Sequence, residues 1–153
     1  MPNQDKLWKV NSLIAFFGGL FGVSILFTLS YLIFNVGHFE NPFSPTPLGV
    51  FLHFLILISF IEEGTKFLLI KRNIGQFPYG FLLGFGFGVG ETILKYPFSE
   101  FGAVPIRRSG AILLHIITAG ILCYFIKKNK PILGLLIAIV IHTGFNFIVN
   151  WAM

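Results

Sequence analysis

Seven hydrophilic side chains interrupt otherwise apolar runs in this sequence: Glu62, Glu63 and Lys66 in one run, Glu91 in the next, His115 in another, and His142 with Asn146 in the last. Carboxylates, imidazoles and an amide gathered in a buried, wet pocket suit hydrolysis. A carboxylate withdrawn from bulk water is a better proton acceptor and can take a proton from a water molecule. His and Asn side chains can donate hydrogen bonds to a developing oxyanion. The same His and Glu side chains also suit a divalent metal ion such as zinc. The His-Glu-x-x-His spacing of the common zinc proteases is absent. So are Gly-x-Ser-x-Gly and any Asp within an apolar run, which leaves no basis for a Ser/His/Asp triad.

The chain has 153 residues, 55% hydrophobic and only 11% charged. A soluble domain carries roughly a quarter charged residues, so there are too few charges here to wet the surface of a soluble globule. Disorder is excluded by the same composition. The expectation is an all-α, polytopic membrane protein: one integral membrane domain over 1–153, a bundle of about five transmembrane helices. A bilayer core needs about 20 apolar residues per helix. The runs Leu13 to Phe34, Leu48 to Ile70, Phe77 to Leu94, Ser109 to Ile126 and Pro131 to Trp151 approach or reach that length. Pro42, Pro45 and Pro47 mark the segment from Asn35 to Pro47 as a loop, and Pro97 and Pro105 mark Lys95 to Arg108 as another.

Lys and Arg distribution gives the orientation. Lys6, Lys9, Lys71, Arg72, Lys127, Lys128 and Lys130 fall on one side; Lys95, Arg107 and Arg108 fall on the other. The N-terminus is expected in the cytoplasm and the C-terminus outside. The net charge of +5 is not the mark of nucleic-acid binding, because no basic face with interleaved aromatics accompanies it. Cys123, the single cysteine, has no partner for an intrachain disulfide.

A lone charge at mid-bilayer costs about 2.5–3.5 kcal/mol, so four of them must face one another or water. At a rise of about 1.5 Å per residue, Glu62 lies about 12 Å from the cytoplasmic end of its helix, Glu91 about 21 Å, and His115 and His142 about 17 Å each. Four helices thus bring ionisable groups to one layer. Glu62 with Lys66, Phe87 with Glu91, and His142 with Asn146 are each four apart, hence on one face. Lys66 can neutralise one carboxylate and leave the other available, and its pairing with Glu63 also reads as a structural ion pair. Arg108 and His115 are two turns apart. Gly80, Gly84 and Gly88, with Gly86 and Gly90 alongside, let helix backbones approach closely. His38 and His53 have no partner at helical spacing and read as incidental.

The motifs resemble those of PrsW-type intramembrane proteases, within the superfamily of CAAX prenyl proteases and Abi proteins. Glu62-Glu63-Gly-Thr-Lys66 is similar to the EExxK motif, Phe87-Gly-Val-Gly-Glu91 to FxxxE, His115-Ile-Ile-Thr-Ala119-Gly120 to HxxxAG, and His142-Thr-Gly-Phe-Asn146 to HxxxN. Order and spacing hold from about Phe60 to Asn150, within a motif-bearing core of about 48–151. The resemblance implies an endopeptidase that cleaves a membrane-associated protein or peptide in or beside the bilayer. It makes Glu62 the water-activating base assisted by His115, with Glu63 supporting or sharing that role and Lys66 setting its charge. His142 and Asn146 become oxyanion donors, Glu91 orients the water or an imidazole, and Arg108 supports. No cofactor is required on this reading; a divalent metal, if used, would sit on Glu62, Glu91, His115 and His142. Few helices surround the core, which points towards a homo-oligomer. The same residues admit two other functions: a proton-coupled transporter, since Glu/His chains relay protons, and a non-catalytic membrane immunity protein that binds a peptide.

Overall fold

The computed structural model describes residues 4–31, 58–72, 76–95 and 105–151. They form an all-α bundle of five helices: α1 (Gln4–Tyr31), α2 (Phe60–Arg72), α3 (Phe77–Lys95), α4 (Pro105–Lys127) and α5 (Pro131–Trp151). Three stretches are long and apolar enough to cross a bilayer: Phe77–Leu94, Ser109–Lys127 and Pro131–Val149. α1 is apolar over Asn11–Leu26, and α2 is described over 13 residues. The first part of the second apolar run (48–57) lies outside the described residues, as do His38 and His53. The expectation of five crossings is therefore met by three, by length and composition, among the described residues.

The distribution of side chains is that of a membrane protein turned outward. Leu13, Phe17, Phe21, Ile25, Leu113, Leu136, Val140 and Ile148 are exposed, while Glu63, Lys66, His115 and His142 are fully buried. In water this arrangement would be costly twice over; in lipid the outer face is solvated and the polar core needs only internal partners.

Local signals explain the helix ends. α2 stops on Lys71 and Arg72, cations that complement the helix dipole at its C-terminal end. α4 ends in a Schellman motif: Asn129 takes a left-handed φ of 56°, its N–H donates to Ile126 O (3.1 Å), and the Lys130 N–H donates to Phe125 O (2.9 Å). Pro131 then opens α5 at the position where its missing N–H costs nothing. Asn129→Val should cost about 1–2 kcal/mol, because a β-branched residue resists left-handed backbone, and Asn129→Gly should not. Thermal unfolding in detergent measures both.

α3 is the spine of the bundle, packed on α1 on one side and on α4 on the other. Its glycines divide between the two. A Cβ at Gly84 would strike the backbone carbonyl of His115, and one at Gly88 the Cα of Ile112, both in α4. A Cβ at Gly86 would strike the Phe16 carbonyl of α1, where Gly19 in turn faces Leu83 and Phe87 backbone. The glycine run is two stripes, not one. Gly84→Val should separate α3 from α4 at the level of His115 and cost about 1–3 kcal/mol through overpacking, read as a fall in melting temperature. α2 is tucked against the other helices, with α4 and α5 its main neighbours.

Candidate functional site

Glu62, Glu63 and Lys66 (α2), Glu91 (α3), His115 (α4) and His142 (α5) meet inside the bundle as one network. Buried Lys66 lies at its centre. Its ammonium pairs with Glu63 Oε1 and donates to Thr118 Oγ1 at 2.8 Å, with His115 Nδ1 at 3.0 Å. An ammonium has three protons and no lone pair, so three acceptors satisfy it and the His115 Nδ1 must accept. Burial of a lysine at 0% exposure is tolerated only with pairing of this completeness. The Phe87 ring stands 5.7 Å from Lys66 Nζ and 5.9 Å from the His115 ring, closing the ammonium off on another side.

Glu63 is the counter-charge. Its Oε1 faces Lys66, the Thr118 hydroxyl at 3.2 Å and His142 Nδ1 at 2.6 Å. So engaged and fully buried, Glu63 is an anchor; of the two roles the resemblance leaves to it, this geometry suits support. Lys66 takes the carboxylate three residues before it, not the one four before. Glu62 thereby keeps its side chain for the other side of the cluster. Its Oε2 lies 3.7 Å from His142 Nε2 and 3.8 Å from His115 Nε2. Those separations are too long for direct hydrogen bonds and suit groups that share a third partner between them. At 8% exposure Glu62 is also the most open of the charged members.

Glu91 Oε2 lies 2.6 Å from His115 Nε2, so the α3 carboxylate orients the α4 imidazole. The two imidazoles stand edge to face, centroids 5.0 Å apart. Asn146 is buried on α5 one turn beyond His142. Arg108 belongs to α4, and its side chain lies outside the described residues. Thr118 was not among the sequence candidates. Its signal was available, because three residues after His115 places it on the same face of α4. Ser59 and Thr143 are also buried, and neither hydroxyl has a hydrogen-bond partner among the described residues.

One donor atom from each of Glu62, His115 and His142 lies within 4.8 Å of the others, so distances alone permit a divalent ion. The contact between His142 Nδ1 and Glu63 is of the kind that orients a ligating imidazole. His115 fails the test. A ligating Nε2 needs its ring proton on Nδ1, and that nitrogen faces the Lys66 ammonium, a group that can only donate. The residues present do not fit an ion held by His115.

Compared with protein-family models, curated proteins and solved structures, the chain matches none.

Proposed function

We propose that the chain is an intramembrane endopeptidase that hydrolyses a peptide bond of a membrane-associated protein or peptide without a metal. The observation that carries this reading is the setting of Glu62: a carboxylate Oε2 between two imidazole Nε2 atoms, at 3.7 and 3.8 Å, inside an apolar bundle. Glu62 takes a proton from a water molecule as its oxygen bonds to the substrate carbonyl carbon. The carbonyl electrons move onto oxygen, and the Asn146 amide N–H stabilises that oxyanion. Collapse breaks the C–N bond, and the proton held by Glu62 passes to the leaving amine. Lys66 and Glu63 hold the imidazoles, and Glu91 orients His115.

The transporter alternative would use the same chain of contacts as a proton path. Among the described residues both imidazoles turn back to Glu62, so these contacts close on themselves. A closed loop favours one reaction centre.

The basic end of the bundle faces the cytoplasm on this reading, with the N-terminus there and the C-terminus outside. Exposed Lys71, Arg72, Lys127, Lys128 and Lys130 support it, and Lys127 Nζ stands 4.6 Å over the Phe77 ring, which brings the end of α4 to the start of α3. The deciding experiment is cleavage of a membrane-anchored reporter peptide in proteoliposomes by the unmutated chain and by Glu62→Gln. Equal cleavage by the two removes Glu62 as base and the proposal with it.

A further inference from the structure

We propose that Lys66 and Thr118, acting through Glu63, hold His115 and His142 in opposite tautomers, so that Glu62 faces a protonated nitrogen committed to Glu91 on one side and an accepting nitrogen on the other. Thr118 is then a positioning residue of the site.

Proton inventory carries the inference. Lys66 Nζ lies 3.0 Å from His115 Nδ1 and has only protons to offer, so Nδ1 is the accepting nitrogen of a neutral ring. The ring proton is on Nε2, where Glu91 Oε2 receives it at 2.6 Å. His142 is the reverse. Its Nδ1 lies 2.6 Å from Glu63 Oε1, and a carboxylate whose charge is matched by Lys66 only accepts, so Nδ1 carries the proton. His142 Nε2 is left with its lone pair, buried and without a hydrogen-bond partner among the described residues. Both Nε2 atoms face Glu62 Oε2.

Thr118 holds the two halves together. Its hydroxyl accepts from Lys66 at 2.8 Å, and its one proton lies between Glu63 Oε1 at 3.2 Å and the His115 carbonyl at 3.3 Å, so it touches ammonium, carboxylate and the His115 backbone together. Without it, one Lys66 proton loses its acceptor and the ammonium is released from its aim at His115. The catalytic consequence rests on the hydrolytic proposal: the His115 Nε2–H is committed to Glu91, and His142 Nε2 is the accepting nitrogen beside Glu62. That reverses the role the resemblance gives His142, which donates at Nε2 only after taking up a second proton.

The test is ¹⁵N NMR of histidine-labelled full-length protein in nanodiscs, in a His38→Gln/His53→Gln background that leaves the two site rings. The expected spectrum has one neutral ring protonated at Nε2, assigned to His115, and one protonated at Nδ1, assigned to His142. Two rings of the same tautomer overturn the proposal. In Thr118→Val the His115 signals should split into both tautomers, and Thr118→Ser should restore the single one. A Thr118→Val spectrum identical to the parent overturns the role of Thr118. Should Thr118→Val fail to fold, the parent spectrum still decides the tautomers, and Thr118→Ala against Thr118→Ser decides the hydroxyl. Opposite tautomers in a protein that cleaves no peptide would leave this inference standing and sink the hydrolytic one alone.

Discussion

Glu62→Gln is expected to accumulate normally, to unfold at nearly the parent temperature, and to cleave a membrane-anchored peptide about 10²–10⁴-fold more slowly, the range a positioned general base contributes. The amide has the shape of the carboxylate and cannot take a proton from water. Little stability should be lost, because the amide fills the same space and the Lys66 ammonium is matched to Glu63. Glu63→Gln provides the contrast. It takes the counter-charge from a fully buried lysine, so it should lose stability and activity together. The pair of variants separates a residue that reacts from one that holds. The two measurements are reporter cleavage in proteoliposomes and thermal unfolding of the same preparations. Parent-like turnover in Glu62→Gln, or a Glu63→Gln protein as stable as the parent, contradicts this division of labour.

Lys66→Met should be the most damaging substitution for folding, at about 3–5 kcal/mol, the cost of leaving one buried charge without its partner. Among the described residues Glu63 Oε1 would keep Thr118 and His142 as donors, and His115 Nδ1 would face a methyl group. With typical stabilities of about 5–15 kcal/mol, such a loss leaves little folded protein to accumulate in the membrane. The double variant Glu63→Gln/Lys66→Met should recover much of it. It is electrically neutral, and the Gln oxygen still accepts from Thr118 and His142. A double variant as unstable as Lys66→Met alone would show that packing around the aliphatic stem, not the charge, is what the lysine supplies. Melting temperature in detergent and the amount of protein extracted from membranes measure both variants.

The helices themselves were legible because lipid leaves the backbone few alternatives. Apolar runs bounded by Pro131, Lys71, Arg72 and Lys127 are read as helices since every N–H must find its carbonyl within the segment. The faces were legible for a similar reason, with 3.6 residues per turn placing Phe87 and Glu91, or His142 and Asn146, together. The site as a meeting place of four helices was also implied, since isolated charges in lipid would be too costly.

Which partner each group chooses was not legible. Helix geometry puts both Glu62 and Glu63 within reach of Lys66; the choice of Glu63 is made by His115 and Thr118 on α4, which hold the ammonium to that side. The bond from His142 to Glu63 spans 79 positions and has no signature at any local spacing. The glycines of α3 show the same limit: their period says that backbones approach, and only the packing says that Gly84 and Gly88 serve α4 while Gly86 serves α1.

The amino-acid order alone settled that this is a helical membrane protein with a buried polar centre, because bilayer solvation acts on each segment separately and is readable segment by segment. Tertiary structure alone decided that Glu63 anchors while Glu62 faces both imidazoles, and that Lys66 addresses His115. Those assignments depend on distances between helices and on matching a fixed number of protons to a fixed number of lone pairs, quantities that exist only once the helices are packed.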